Sequence, residues 1–393
     1  MTKKSHLSRL SFLLLAALLL VMGTGLAPQN SNYASAQAAT PAPTSTAVDT
    51  SKWLHVYFTD PSQVDESVID ANKTMARYVL LSLKAAAKTI DIASFDFNLP
   101  EVADALVAAK NRGVVVRAVL DEKNGNQKLK ASDSPSGIAL DVVKTLTDAD
   151  ITVVNGGRSN GLMHDKIIIV DSKLLFMGSW NMSYNDTYRN NNNLLVIANP
   201  TLIANYQAKF NELFVSKRFG TKAQVKALTP RFIIKGTVVE NYFSPKDEVI
   251  AKLVNVVKSA QKSIKFMAFT YTQKDLTAAI IERAGAGIEV SGVIENRGAS
   301  NGALPDLFCA GIPVRTDGNK YTMHHKVIII DDQIVVTGSF NFTQTADNAN
   351  DDNVLIIYNA AVADQYNQEF AKVYGIGKTP DASSIVCDAE SQP

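Results

Sequence analysis

Two stretches decide how this chain reads: residues 164–181, HDKIIIVDSKLLFMGSWN, and residues 324–341, HHKVIIIDDQIVVTGSFN. Each runs His, one residue, Lys, four apolar residues, Asp, six residues, then Gly-Ser-x-Asn. A six-position match at fixed spacing arises by chance at roughly 10⁻⁸ per start site if each residue type has a frequency of about 5%. Finding it twice points to a duplicated unit, and the flanks agree. Ile90 maps to Ile264, Asp121 to Glu295, Tyr206 to Tyr366 and Phe210 to Phe370. Between Asp121 and His164 the first copy is longer by 14 residues, where Glu122 to Gly137 forms a polar Lys/Asn/Ser/Gly insertion. Helical apolar spacing is expected over Asp65 to Lys88 and Asp247 to Lys262. Strands are expected at Ile90 to Phe95, Val114 to Leu120, Lys166 to Val170 and Leu194 to Ile197. Strands alternating with helices imply α/β architecture, with mixed sheets covered by helices on both faces. Two such tandem repeats, sheet facing sheet, make a pseudo-twofold sandwich, and a site on its dyad draws on both copies.

The doubled motif resembles the HxK(x)4D(x)6GSxN signature of the phospholipase D superfamily, present without a gap in both copies, and the resemblance extends from about Val56 to Gly375. It implies a two-repeat sandwich with one active site at the repeat interface, a phosphohistidine intermediate and no metal. The expected segments are a signal peptide over 1–36, a flexible linker over 37–52 and a first phospholipase D-like repeat over 53–216. A basic connector over 217–239, a second repeat over 240–376 and a tail over 377–393 follow.

The residues support that chemistry on their own. On a strand, positions two apart share a face, so His164 with Lys166, and His324 with Lys326, can converge on one substrate group. A neutral imidazole attacks phosphorus while a protonated one donates to the leaving alkoxide. Lys166, Lys326, Asn181 and Asn341 are expected to hold the equatorial oxygens, with Ser179 and Ser339 supporting them. In the family an acidic residue eleven positions beyond each motif Asn supports an active-site His. Asp352 fills that position in the second copy and Asn192 departs from it in the first. Because a carboxylate favours the imidazolium, His324 backed by Asp352 is expected as general acid and His164 near Asn192 as nucleophile. Asp171 and Asp331 have the opposite parity from the lysines and are expected to brace the fold. His325 points away from the His324 face. Each His stands beside a Lys that repels cations, so neither metal nor cofactor is expected.

The chain opens with Lys3, Lys4 and Arg9, continues through an apolar run from Leu10 to Met22, and reaches small residues around Ala34 to Ala38. That is the layout of a secretory leader. Thirteen helical residues cover about 20 Å, short of the roughly 30 Å hydrocarbon core. Export with cleavage is therefore expected. Gln37 to Ser51, rich in Ala, Pro, Thr and Ser, reads as a tether. Cys309 and Cys387 are the two cysteines, and an oxidising compartment permits their pairing, with two free thiols as the alternative.

With 393 residues, 46% hydrophobic, 39 Lys+Arg against 38 Asp+Glu and a formal charge of +1, the chain has room for two globular units and no global field to steer it onto polyanions. A histone-like or strongly nucleic-acid-seeking protein is disfavoured. The motif specifies a phosphodiester and leaves its substituents open. The expected substrate is a phospholipid; Gly338 to Thr343 (GSFNFT) is similar to the endonuclease-like and cardiolipin-hydrolase-like branch, which keeps nucleic acid as the alternative. A non-catalytic phosphate- or membrane-binding module is the minor alternative, disfavoured by both intact motifs. Lys217, Arg218, Lys222, Lys226, Arg231 and Lys235 in the connector suit phosphate backbones or an anionic membrane surface. A monomer without integral membrane segments in its mature form is expected.

Overall fold

The apolar runs after each His-x-Lys become central strands, which explains why they carry no polar alternation. A computed structural model describes residues 48–63, 70–121, 130 and 139–387. The leader, most of the linker and nearly all of the insertion at Glu122 to Gly137 lie outside the described residues.

The first copy contains β1 (Leu54–Phe58), α1 (Ala76–Ala85), β2 (Thr89–Ser94), α2 (Pro100–Asn111), β3 (Val115–Leu120), α3 (Val142–Asp148) and β4 (Thr152–Asn155). It continues with β5 (Lys166–Val170), β6 (Leu174–Gly178), α4 (Tyr184–Tyr188), β7 (Asn193–Ile197) and α5 (Pro200–Phe214). The second contains β8 (Arg231–Ile234), β9 (Thr237–Ser244), α6 (Val249–Lys258), β10 (Ser263–Ala268), α7 (Lys274–Gly285), β11 (Glu289–Ile294), α8 (Leu304–Cys309) and β12 (Val314–Thr316). Then come β13 (Lys326–Ile330), β14 (Ile334–Gly338), α9 (Gln344–Asn348), β15 (Asp352–Tyr358) and α10 (Ala360–Ile376). The strand orders are β1-β7-β6-β5-β2-β3-β4 and β12-β11-β10-β13-β14-β15-β9-β8. In each sheet the β-α-β crossovers are parallel and the motif hairpin is antiparallel.

Ile168 and Val170 pack under α1 and α2, while Ile167 and Ile169 face the opposite way into a central core. Ile328 and Ile330 likewise pack under α6 and α7, and Val327 and Ile329 join that same central core. Tyr206 and Phe210 of α5, with Tyr366 and Phe370 of α10, complete it, at the helical spacing i, i+4. Each sheet thus has helices on its outer face and shares its inner face with the other sheet and these two helices. This refines the expectation of helices on both faces.

The helices expected over Asp65 to Lys88 and Asp247 to Lys262 end early, at Ala85 and Lys258, because Asp171 and Asp331 draw the chain into the next strand, and residues 65–69 of the first lie outside the described residues. The Asp171 carboxylate accepts the N–H groups of Ala87 (2.9 Å), Lys88 (2.7 Å) and Thr89 (2.9 Å). Asp331 accepts those of Gln261, Lys262 and Ser263. Both aspartates also begin the three-residue turn of their hairpin, with positive φ at Asp171 (53°) and Ser172 (52°), and at Asp331 and Asp332 (both 55°). Each follows the end of its strand away from the His-x-Lys pair. Asp171→Ala is expected to destabilise the fold by about 1–3 kcal/mol, read as a lower Tm. Burial raises the Asp171 pKa, but the three N–H groups outweigh it and hold it below 3.8. Its contribution is therefore present above the unfolded-state pKa and lost as pH falls through the folded one. An unchanged Tm at neutral pH contradicts this bracing role.

At its edges the fold departs from the expected segments. Val48 is buried in the first core, so the described end of the expected linker packs on the fold. The connector supplies an edge strand, β8. Its bases do not form one surface: Gly220 donates to Asp351 beside the motif, whereas the β8–β9 turn lies at the other end of the sheet, since Asp352 pairs with Ser244 and Tyr358 with Val238. Cys309 and Cys387 are disulfide-bonded, with Cα atoms 5.5 Å apart. Among the described residues no helix is long and apolar enough to cross a membrane.

Candidate active site

His164 and Lys166 precede and open β5, and His324 and Lys326 precede and open β13. All four are nearly buried, at 3%, 5%, 7% and 2% exposure respectively. Each Lys Nζ donates to the carbonyl of its own motif His at 2.8 Å, which leaves further N–H groups for an anion. An aromatic ring backs each pair. Phe95 lies edge-on to His164, with ring centroids 4.6 Å apart, and 5.0 Å from Lys166 Nζ. Phe269 stands 4.7 Å from His324 and 4.6 Å from Lys326 Nζ.

The two copies are tied together at the motif ends. His164 N donates to Asp351 O and His324 N to Asn191 O, both at 2.9 Å. These bridges carry the segment after each Gly-Ser-x-Asn across the dyad, and they overturn the expected pairing. Asp352 meets His164, with Nδ1 and Oδ1 2.7 Å apart, and Asn192 Oδ1 lies 2.9 Å from Nδ1 of His324. Counting eleven positions finds each partner; the cross-dyad register assigns it to the other copy's His.

Ser179 and Ser339 sit behind these partners. Their hydroxyls donate to Asn192 Oδ1 (2.9 Å) and Asp352 Oδ1 (2.6 Å), and accept the N–H groups of Asn193 and Asn353. The preceding glycines adopt positive φ, 142° at Gly178 and 151° at Gly338, and a Cβ there would collide with the carbonyls of Asn193 and Asn353. Gly-Ser therefore seats the strand that carries the His partner.

Asn181 is held from the side by a carboxylate. One N–H of its Nδ2 donates to Asp186 Oδ2 at 2.6 Å, which leaves the second for an anion, and its Oδ1 is buried without a partner. Asn341 Oδ1 is buried without a partner too. The residue between His and Lys faces the central core in both copies: Asp165 accepts from Asn353 Nδ2 at 2.7 Å, and His325 Nε2 lies 3.1 Å from Glu369.

Burial lowers the pKa of His164, partly offset by Asp352, and lowers that of His324 well below 6.5, aided by Lys326, Lys166 and His164. Burial alone would raise Asp352, but His164 and Lys166 outweigh it and keep the carboxyl below its ordinary value. Lys166 is pushed down to about 8 by burial, against the pull of Asp352 and Asp186. Lys326 falls well below 10.5 through burial and the charge of Lys166. These mutual effects across the dyad make one electrostatic unit of the two motifs. Sequence reasoning missed Phe95 and Phe269, whose matching repeat positions could have revealed them. It also missed Asp96 and Asp186, which stand where the second copy has Thr270 and Ala346. Among the described residues no group of three or more His, Cys, Asp or Glu is placed to hold a metal ion.

Residues 79–214 and 253–374 match the family model described as cardiolipin synthase, PLD-like domain. The chain belongs to this PLD-like family. It is 31% identical over 130 residues to a mitochondrial cardiolipin hydrolase of Xenopus tropicalis, covering 33% of this chain and 62% of that protein. It is 34% identical over 134 residues to a phospholipase D of Rickettsia bellii, covering 34% of this chain and 67% of that one. The chain thus spans less than two thirds of the cardiolipin hydrolase. The crystal structure of phosphatidylserine synthase from Haemophilus influenzae matches 80% of this chain and 85% of its own at a TM-score of 0.58 and 12% identity, a likeness of fold. The two family-model matches fall on the two repeats of this PLD-like chain, one on each sheet.

Proposed function

We propose that this chain is an exported phosphodiesterase of phospholipase D type that hydrolyses a phospholipid through a phosphohistidine. The observation that carries this reading is the crossed pairing, His164 with Asp352 and His324 with Asn192, which builds one reacting centre from both copies. With its Nδ1 proton directed at Asp352, His164 presents the Nε2 lone pair, and the carboxylate offsets the positive charge that develops as nitrogen bonds to phosphorus. Asn192 Oδ1 accepts the Nδ1 proton of His324, which fixes the ring with its Nε2–H turned to the leaving alkoxide. The roles expected from the sequence are kept, on the opposite pairing.

His164 Nε2 bonds to phosphorus as the P–O bond to the alkoxide breaks, and the alkoxide takes the proton of His324. Water then attacks phosphorus, gives a proton to His324, and the N–P bond breaks. Lys166 and Lys326 hold the equatorial oxygens throughout. An incoming phosphate charge also counters the two ammoniums, which favours the protonated His324 in the complex. Relatives named for cardiolipin hydrolase and phospholipase D activity support a lipid substrate.

One observation favours nucleic acid as a second reading. A polar groove of about 380 Å³ beside the His324 segment is lined by four bases, Arg189, Arg297, Lys320 and Lys378, and by Tyr321, against two acids, Glu295 and Asp317, the first of which pairs with Arg297. Bases with an aromatic ring suit a single strand. The mature protein, assayed with EDTA present, is expected to release headgroup from phospholipid vesicles, and to form phosphatidyl alcohol when a primary alcohol intercepts the intermediate. Nicking of plasmid or RNA without lipid turnover removes the lipid reading.

A further inference from the structure

We propose that Asp186 is the positioning carboxylate of His324, doing from helix α4 what Asp352 does directly for His164. The inference rests on the phosphodiesterase reading for its kinetic consequence, and on geometry for the pairing itself.

The two sides of the dyad are not equivalent. On the His164 side a carboxylate occupies the partner position. On the His324 side the amide of Asn192 occupies it, and a carboxylate stands just behind: Asp186 Oδ2 is 3.5 Å from His324 Nδ1. Asp186 is buried and held from several directions. Its Oδ2 accepts Asn181 N (2.9 Å) and Nδ2 (2.6 Å), and its Oδ1 accepts Asn190 Nδ2 (2.5 Å). Ser183 caps α4 by accepting the Asp186 N–H. The Asp186 carbonyl accepts Asn192 Nδ2 at 3.4 Å, which turns Asn192 Oδ1 toward His324. One residue therefore orients the amide and adds the negative charge that the amide lacks. The second copy has Ala346 at the equivalent position, where no such charge is needed.

The other titratable groups facing this cluster are Lys166 of β5, Lys326 of β13, His164, His325, Asp352 and Asp96 after β2. Asp96 Oδ1 is buried without a partner, and burial and the charge of Asp186 raise its carboxyl to about 7. Repulsion between the two carboxylates is relieved by protonating Asp96, which leaves the charge of Asp186 directed at His324 and the two ammoniums.

The test uses the full mature chain with ¹⁵N-labelled imidazoles. In Asp186→Asn, whose side-chain oxygen can still accept from Asn181, the His324 midpoint is expected to fall by about one pH unit, with His164 much less affected. Adding Asn192→Asp, which restores a carboxylate at the position matching Asp352, is expected to bring the midpoint back. In kinetics, Asp186→Asn is expected to lower turnover of an alkyl phosphodiester roughly tenfold or more while sparing a p-nitrophenyl diester, whose leaving group needs little protonation. Asn192→Asp is expected to rescue the alkyl substrate. An unmoved His324 midpoint, equal losses on both substrates, or no rescue in a folded double variant overturns the proposal. If wild type turns over no phosphodiester while the His324 midpoint still responds, the phosphodiesterase reading fails and the pairing stands.

Discussion

His324→Ala is expected to release one equivalent of p-nitrophenol from a p-nitrophenyl phosphodiester and then stall. The aryl leaving group departs without an acid, so His164 still bonds to phosphorus. The second half-reaction needs a base for water, and that base is gone. Phosphate should then remain on His164, where peptide mapping at alkaline pH can find it. On an alkyl diester the same variant should lose roughly 10²–10⁴-fold in kcat, because the alkoxide has no proton donor. His164→Ala should give no burst on either substrate and a loss of roughly 10⁴-fold or more, since the residual rate rests on binding and charge stabilisation alone. The reverse pattern, a burst from His164→Ala with phosphate on His324, exchanges the two roles. The geometry argues against that exchange. A developing phosphohistidine cation gains more from Asp352 at 2.7 Å than from the Asn192 amide at 2.9 Å.

The chain's spacing carried most of the fold and part of the site, and the divide between them is physical. Parity along a strand is local, so His164 with Lys166, and His324 with Lys326, could be placed on one face from the residue numbers. Asp171 and Asp331 could be set aside for the same reason. Their grip on three N–H groups each, which ends α1 and α6 early, depends on a hairpin tip meeting the start of another strand. The crossing of Asp352 to His164 was illegible because it follows from the register of Asp351 against Met163, far apart in sequence. Counting from Asn341 finds the carboxylate but carries no information on which imidazole it faces. Asn181 shows a similar limit. One of its two amide N–H groups is taken by Asp186 five residues later, once α4 has folded under a Ser183 cap, and no motif spacing states that.

The lysines give the other large effect, and its pH dependence separates site chemistry from unfolding. Lys166→Met is expected to lower kcat roughly 10²-fold or more, in the manner of a lost oxyanion donor. A loss confined to KM contradicts a role in the transition state. In wild type, kcat/KM should begin to fall by about pH 8, where Lys166 loses its proton, and not near the ordinary lysine range. Burial and the charge of Lys166 both hold Lys326 down. Removing that charge should therefore move the alkaline limb of the residual activity upward. The stability contribution has the opposite sign to the activity. Between about pH 8 and the unfolded lysine pKa of roughly 10.4, the unfolded chain binds a proton at this position that the folded chain has lost. The term from Lys166 thus makes the fold more stable as pH rises through that window. Activity that declines above pH 8 while the melting temperature at the same pH holds or rises marks deprotonation of the buried ammonium. A parallel decline of both marks alkaline unfolding and removes Lys166 as the cause.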